Sequence, residues 1–413
     1  MRFASLPVLA VAAFYHVCAE PFSSSFRIDF DTARPALYSD ALGCGFEPSS
    51  AVRRIQRRDG GFVTSVHPFF FSVAVPEGNY RVTVVLGDPE GESTTTIKAE
   101  LRRLMAEKVH TAHGRLQSVR FIVNVRVPQF STGAEVTLKP REKTIEAPAW
   151  DHKLTLEFSN TEPKVAAIEI QKVDVPVLYI AGDSTSTDQP REPYNSWGQM
   201  LPRFFKPEIA IANHGESGES LKSFIAENRL SKLEDVMKSG DWLFIQMGHN
   251  DQKEKGEGVG AFTTYKASLK QFIAAAHARG ATPVLISSIN RLTFDPEGRI
   301  TNSLGDYPEA VRQTAREEDV ALIDLNAMSK LFYEALGPAK AHLAFAADDT
   351  THHSDYGSYE FARCIVQGIK DTKLPVARYL IDEPAFDPAR PDPPEAFDIP
   401  PDPLTTTERP YGK

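Results

Sequence analysis

Cysteine is scarce, with three residues in 413. That excludes a disulfide framework in a chain of this size. No cysteine pair stands at zinc-ligand spacing, so no metal site is expected. Cys18 falls in an N-terminal leader, which leaves Cys44 and Cys364 either to form one bridge or to stay as buried thiols. Basic charge is also in deficit: 46 Lys and Arg stand against 55 Asp and Glu, a formal net charge of -9. Binding nucleic acid requires a basic surface that neutralises phosphates, so no nucleic-acid partner is expected. The apolar stretch at residues 6–14 is far shorter than the roughly 20 residues that span a bilayer. No repeat of fixed period and no low-complexity core segment occurs.

The leader "MRFASLPVLAVAAFYHVCAE" has a basic start at Arg2, an apolar stretch, and small residues Val17 and Ala19 at the -3 and -1 positions of a cleavage site. It predicts removal of residues 1–19 and export to the periplasm or medium, with no membrane attachment afterwards. Residues 20–174 carry many short runs of alternating polarity, such as "NYRVTVVLG", "RFIVNVRV" and "KLTLEFS", separated by turn signals. They predict an antiparallel β-sandwich of jelly-roll type, acting either as a sugar-binding module or as a purely structural unit. From about residue 175 the pattern changes. The nearly continuous apolar runs "VLYIA", "EIAIAN", "WLFIQM", "TPVLISS" and "VALIDL" alternate with helical stretches such as residues 261–280. Strands covered on both faces read this way, so residues 175–378 are expected to form a three-layer α/β domain with a parallel sheet. Residues 379–413 hold nine of the 30 prolines from Pro384 onward, which denies helix and central strand and predicts a tail, extended along the body or disordered.

Ligands of open parallel sheets bind outside the carboxyl ends of the strands. Four polar clusters fall there: "GDSTSTD", "NHGESGES", "GHND" and "DTTHHSDYG". Acyl transfer needs a hydroxyl nucleophile, a histidine to take its proton, a carboxylate to orient that histidine, and donors for the oxyanion. Ser184 supplies a hydroxyl, although a serine after a strand is also an ordinary turn or cap residue. Asp349 and His352, three residues apart, can form the base pair. Gly218 offers a backbone N–H without a Cβ, and Asn250 a side-chain amide; each has a bland reading as turn glycine or cap. Together they supply every part. Lys253, just after "GHND", and Arg291 stand near strand ends and are candidate contacts for an acidic substrate, or solvated surface charges.

These four blocks, in order, resemble those of the SGNH (GDSL-type) hydrolases. The stretches "YIAGDSTSTD", "WGQMLP", "NHGESGESLKSF", "QMGHNDQK" and "DDTTHHSDYGSYEFA" are most similar to the rhamnogalacturonan acetylesterases. The resemblance covers about residues 177–370. It implies a flavodoxin-like sheet, no metal and no cofactor. It implies Ser184 as nucleophile, the pair Asp349 and His352 as base, and an oxyanion hole from the Ser184 and Gly218 N–H groups with the Asn250 amide. His249 receives no role. The antiparallel half resembles galactose-binding-like carbohydrate modules. The expected function is deacetylation of an acetylated plant cell-wall polysaccharide or oligosaccharide, of rhamnogalacturonan or pectin type. Alternatives are the same fold acting on other acyl esters, and a carbohydrate-binding protein whose α/β half is inert. An α/β-hydrolase is disfavoured because Ser184 sits in "GDSTS" and not in Gly-x-Ser-x-Gly. A metallophosphoesterase would use His352, His353 and Asp355 as ligands, but "GHND" has the wrong residue order for it.

Overall fold

A computed structural model describes residue 22 and residues 24–410; the expected leader lies outside them. The parallel sheet is built from β1 (Val177–Gly182), β2 (Ala210–Asn213), β3 (Trp242–Gln246), β4 (Thr282–Ile286) and β5 (Ala321–Ile323). All four pairings are parallel, and the strand order β2-β1-β3-β4-β5 is the flavodoxin-like winding. Successive side chains point to opposite faces of a strand, and both faces here are covered. Leu178, Ile180, Trp242 and Phe244 join a core with the helices Leu325–Lys340 and Asp355–Asp371. Val177, Tyr179, Leu243 and Ile245 join another with the helices Arg229–Val236 and Lys266–Ala278. This is why these strands are apolar except at their ends, where Asn213, Gln246 and Thr282 stand.

Residues 25–173 form two antiparallel sheets of six and five strands. Val82, Val84 and Ile168 of one share a core with Phe71, Val73, Leu156 and Phe158 of the other. Sequence alternation locates seven of these strands but not the short Cys44–Phe46 and Gly60–Thr64, nor Arg53–Arg57 or Arg103–Thr111. The last two are rich in charged residues, which obscures an apolar face, and the first two are short and hold glycine. Cys364 is a free, buried thiol, so the bridge to Cys44 is not formed.

The two halves are joined by buried arginines from the antiparallel side. Arg103 pairs with Asp188 at 3.2 Å, and Asp188 also accepts from the Asn213 amide at 2.8 Å. Arg126 donates to the Asn213 carbonyl and stacks over Trp150 at 4.2 Å. Arg102 donates to the Tyr194 carbonyl at 2.8 Å and pairs with Glu192, Asp355 and Asp402. Burying a guanidinium is costly unless its charge is met, so the carboxylates around Arg102 and Arg103, and the carbonyl and ring face that hold Arg126, fix how the halves meet. The proline-rich tail runs extended along the body. Phe386 and Ile399 enter the core, Phe397 packs on Tyr356 and Tyr359, and Glu192 and Thr405 form a β-bridge. Proline prevents regular structure but not docking, because apolar residues recur between the prolines. Among the described residues no helix is long and apolar enough to cross a membrane.

Candidate active site

β1 ends at Gly182, where a Cβ would lie 1.8 Å from the Ser186 hydroxyl, so the turn that follows requires glycine. Asp183 then closes the turn on itself. Its carboxylate accepts from the Thr185 N–H at 3.0 Å and hydroxyl at 2.8 Å, while its carbonyl accepts from the N–H groups of Ser186 and Thr187. This projects Ser184 over the sheet end. Asn213, at the end of β2, donates to the Ser186 carbonyl at 2.7 Å and ties the second block to the first.

His352 bridges Ser184 and Asp349. Its Nε2 lies 3.0 Å from the Ser184 Oγ, and its Nδ1 lies 3.0 Å from the Asp349 Oδ2. The other Asp349 oxygen accepts the N–H groups of Thr351 at 2.8 Å and His352 at 3.1 Å. Burial pushes the Asp349 carboxyl up, but the His352 ring and these two N–H groups outweigh it and hold the pKa well below the usual carboxylate range. An ionised Asp349 therefore accepts from Nδ1, which leaves the Nε2 lone pair facing the hydroxyl. Ser184 is 1 % and His352 2 % exposed, so the pair lies at the base of the site.

Donors for a developing oxyanion lie beside it. Among the described residues neither the Ser184 N–H nor the Gly218 N–H has an acceptor. Gly218 adopts φ +84°, the left-handed conformation that glycine allows at no steric cost. Asn250 donates one amide hydrogen to the Glu219 carbonyl at 2.9 Å, which leaves the other available, and its amide oxygen accepts from Lys253 at 3.0 Å. Gln189 holds the two loops together, donating to the Ser184 carbonyl at 2.7 Å and the Ser217 hydroxyl at 3.1 Å.

Ser184, Gly218, Asn250, Asp349 and His352 thus converge. Lys253 and Arg291 stand farther out. Lys253 bonds Asn250, and Arg291 approaches the carbonyls of Ser303 at 3.4 Å and His249 at 3.5 Å. Burial lowers the pKa of both, and for Lys253 the neighbouring Arg291 adds to the effect. The three residues of the metallophosphoesterase alternative go to separate partners. His352 serves Ser184, His353 lies among Tyr333, Phe345 and Phe361 with a bond to the Tyr333 hydroxyl at 2.8 Å, and Asp355 accepts from Asn195 at 2.6 Å.

Sequence reasoning missed a second histidine–carboxylate pair. His249 Nδ1 lies 3.1 Å from the Asp183 Oδ2 and Nε2 lies 2.9 Å from the Ile289 carbonyl. Both ring nitrogens thus face oxygen atoms, one a carboxylate and one a carbonyl, which holds the ring in place. Burial raises the Asp183 pKa, but the charge and hydrogen bond of His249, with the Thr185 donors, outweigh it and lower it. The pair ties the residue before Ser184 to the residue before Asn250. The signal was present in "GDS" and "GHND", but nothing local showed that the two side chains meet.

Residues 180–358 match the GDSL-like lipase/acylhydrolase family. The chain is 36% identical over 219 residues to rhamnogalacturonan acetylesterase RhgT of Bacillus subtilis (strain 168), an alignment that takes in 49% of this chain and 94% of that protein. It is 39% identical to the probable rhamnogalacturonan acetylesterase YesY of the same organism, over 50% of this chain and 98% of that one. The uncharacterized esterase YxiM, also from that organism, is 27% identical over 81% of this chain and 85% of its own length. The chain belongs to the GDSL-like lipase/acylhydrolase family, with homology to rhamnogalacturonan acetylesterases, and it is an esterase.

Proposed function

We propose that this esterase is exported and removes O-acetyl groups from a plant cell-wall polysaccharide, of rhamnogalacturonan or pectin type, by a Ser-His-Asp acyl-enzyme mechanism. The observation that carries this reading is the unbroken chain Asp349–His352–Ser184, with 3.0 Å at both links, beside two backbone N–H groups that have no acceptor among the described residues. The covered hydroxyl favours a short acyl group. The names of the two bacterial relatives favour the pectic substrate, and Lys253 and Arg291 provide positive charge near the oxyanion amide. Export rests on the leader alone, and a sugar-binding role for the antiparallel half on its resemblance alone.

In the reaction Ser184 Oγ attacks the acetyl carbonyl while His352 Nε2 takes its proton. The negative charge that collects on the carbonyl oxygen meets the N–H groups of Ser184 and Gly218 and the Asn250 amide. Losing one such donor typically costs about 2.7–4 kcal/mol of barrier. The tetrahedral intermediate collapses as the imidazolium gives its proton to the departing sugar oxygen. Water, deprotonated by His352, then attacks the acetyl-serine, and acetate leaves with Ser184 regenerated.

The test is acetate release from acetylated pectin, xylan and neutral oligosaccharides by wild type and Ser184→Ala. Wild type is expected to favour pectin, and Ser184→Ala to lose at least about 10³-fold. Preference for xylan or neutral sugars would overturn the substrate, and an active Ser184→Ala would overturn the nucleophile.

A further inference from the structure

Beside the Ser184–His352 pair lies a cavity of about 170 Å³ whose wall comes from three distant parts of the chain. Arg141, Ile145 and Glu146 come from the antiparallel half. Gln189, Arg191 and Tyr194 come from the loop after Ser184, with Ser217 next to them. The end of the tail, from Thr406 to Pro410, closes the remaining side. Residues of the cavity wall touch those of the site. Gln189 binds the Ser184 carbonyl, the Tyr194 ring stands edge-on to His352 at 6.0 Å, and Arg409 lies 3.8 Å from the Asp349 Oδ2 while donating to the Asp348 carbonyl. A substituent adjoining the reacting ester therefore enters this space. The volume is below the roughly 300–1,000 Å³ of sites for drug-sized ligands, which suits about one sugar unit.

The charges in the wall show what that unit carries. Arg141 is committed to Glu216, Glu146 and the Ser217 carbonyl. Arg409 is committed to Asp348 and Asp349. Arg191 is half-buried, and its guanidinium has no acceptor and no ion-pair partner among the described residues. A guanidinium facing a cavity without a partner is matched by a planar anion, which its fork of N–H groups grips in bidentate fashion. Two carboxyls also face the space. Burial pushes Glu146 up to about 7, and the Arg141 guanidinium, 3.3 Å from its Oε2, opposes that rise. Glu408 is exposed on the tail, where solvent screens it.

We propose that this cavity is a carboxylate-binding subsite, with Arg191 as its ligand and the tail from Thr406 to Pro410 as one wall, and that it selects substrates bearing a uronic acid next to the acetylated position. The inference rests on the esterase acting on a glycan, as proposed above. Arg191 lies inside the region that matches the family, while Arg141, Ile145, Glu146 and the tail residues from Thr406 to Pro410 lie outside it, so the subsite joins the common fold to parts of the chain around it. The tail is anchored where it forms this wall. Asp402 pairs with Arg102 at 3.7 Å, Glu192 donates its N–H to the Leu404 carbonyl at 2.9 Å, and Thr406 donates back at 2.7 Å.

The test uses one acetylated galacturonate-containing oligosaccharide in two forms, with free carboxylates and with those carboxylates methyl-esterified. The readout is the ratio of kcat/KM for acid over ester. Wild type is expected to favour the acid form by about 10-fold or more, Arg191→Gln to bring the ratio near one, and Arg191→Lys to recover part of it. Glu408→Gln, at an exposed position that does not threaten folding, is expected to raise the ratio by removing a like charge. Wild-type preference that survives in Arg191→Gln overturns the subsite and leaves the pectic reading intact. A wild-type ratio near one overturns carboxylate selection. Acetate release from pectin against xylan, measured separately, reports on the pectic reading itself.

Discussion

Replacing Asp349 with Asn changes one atom and tests the whole proton path. The Asn oxygen keeps the two N–H donors of Thr351 and His352, because only an acceptor satisfies them. The new NH₂ group then faces His352 Nδ1, which in the wild type lies 3.0 Å from the carboxylate. Two donors cannot share that contact, so the ring changes tautomer: Nδ1 accepts and Nε2 carries the hydrogen. The lone pair that should take the Ser184 proton is gone, 3.0 Å from the hydroxyl it served. A wrong tautomer in a Ser-His-Asp site lowers kcat by about 10⁴, or about 5 kcal/mol of barrier. Asp349 is buried beneath His352, so KM is expected to change far less than kcat. The stability effect has a defined sign. The folded-state pKa of Asp349 is depressed, so its contribution is present above the unfolded carboxylate pKa and lost as pH falls through the folded value. Thermal unfolding is therefore expected to separate variant from wild type at pH 7 and to bring them together in strong acid. The assay is steady-state acetate release, with circular dichroism to show an intact fold. A folded Asp349→Asn enzyme within about tenfold of wild-type kcat would refute the tautomer argument.

His249→Ala removes the ring that bonds the buried Asp183 carboxylate, and leaving such a group without its partner typically destabilises by about 1–3 kcal/mol or more; denaturant unfolding that shows a loss below about 0.5 kcal/mol would mean that the contact carries no stability. Burial raises Glu100 to about 8, against the partial relief given by Arg103 and the Thr155 N–H. Its folded form keeps a proton that the unfolded chain has lost, so stability is expected to fall as pH rises from about 5 to about 8. Glu157 and Asp251, each raised to about 8 chiefly by burial, act in the same direction. Melting temperatures at pH 5 and 8.5 check this, and Glu100→Gln should flatten part of the slope; a flat wild-type profile would contradict it.

Ser184, Gly218, Asn250, Asp349 and His352 were legible as a set because each sits in a short block whose order along the chain matches the order of strand ends on one rim. The five parallel strands were legible because burial on both faces leaves an apolar run that no polar residue interrupts. The strand Arg103–Thr111 was not, because Arg103 and its neighbour Arg102 look like surface charge until the other half of the molecule covers them. Lys253 was read as a contact for substrate. Its ammonium bonds the Asn250 amide oxygen at 3.0 Å, a contact that sequence position does not carry.

Sequence alone determined the two-part β then α/β arrangement, the esterase chemistry and the short blocks proposed to carry it, since these depend on local periodicity and on motifs a few residues long. Tertiary structure decided which charges meet. It brought His352 to Ser184 across 168 positions, drew the proline-rich tail to the mouth of the site, and left Arg191 without a partner among the described residues while Arg102, Arg103 and Arg126 were paired and buried. The reason is physical: apolar burial follows from a residue's own character and spacing, whereas the partner of a charge is set by whichever loop the completed fold places against it.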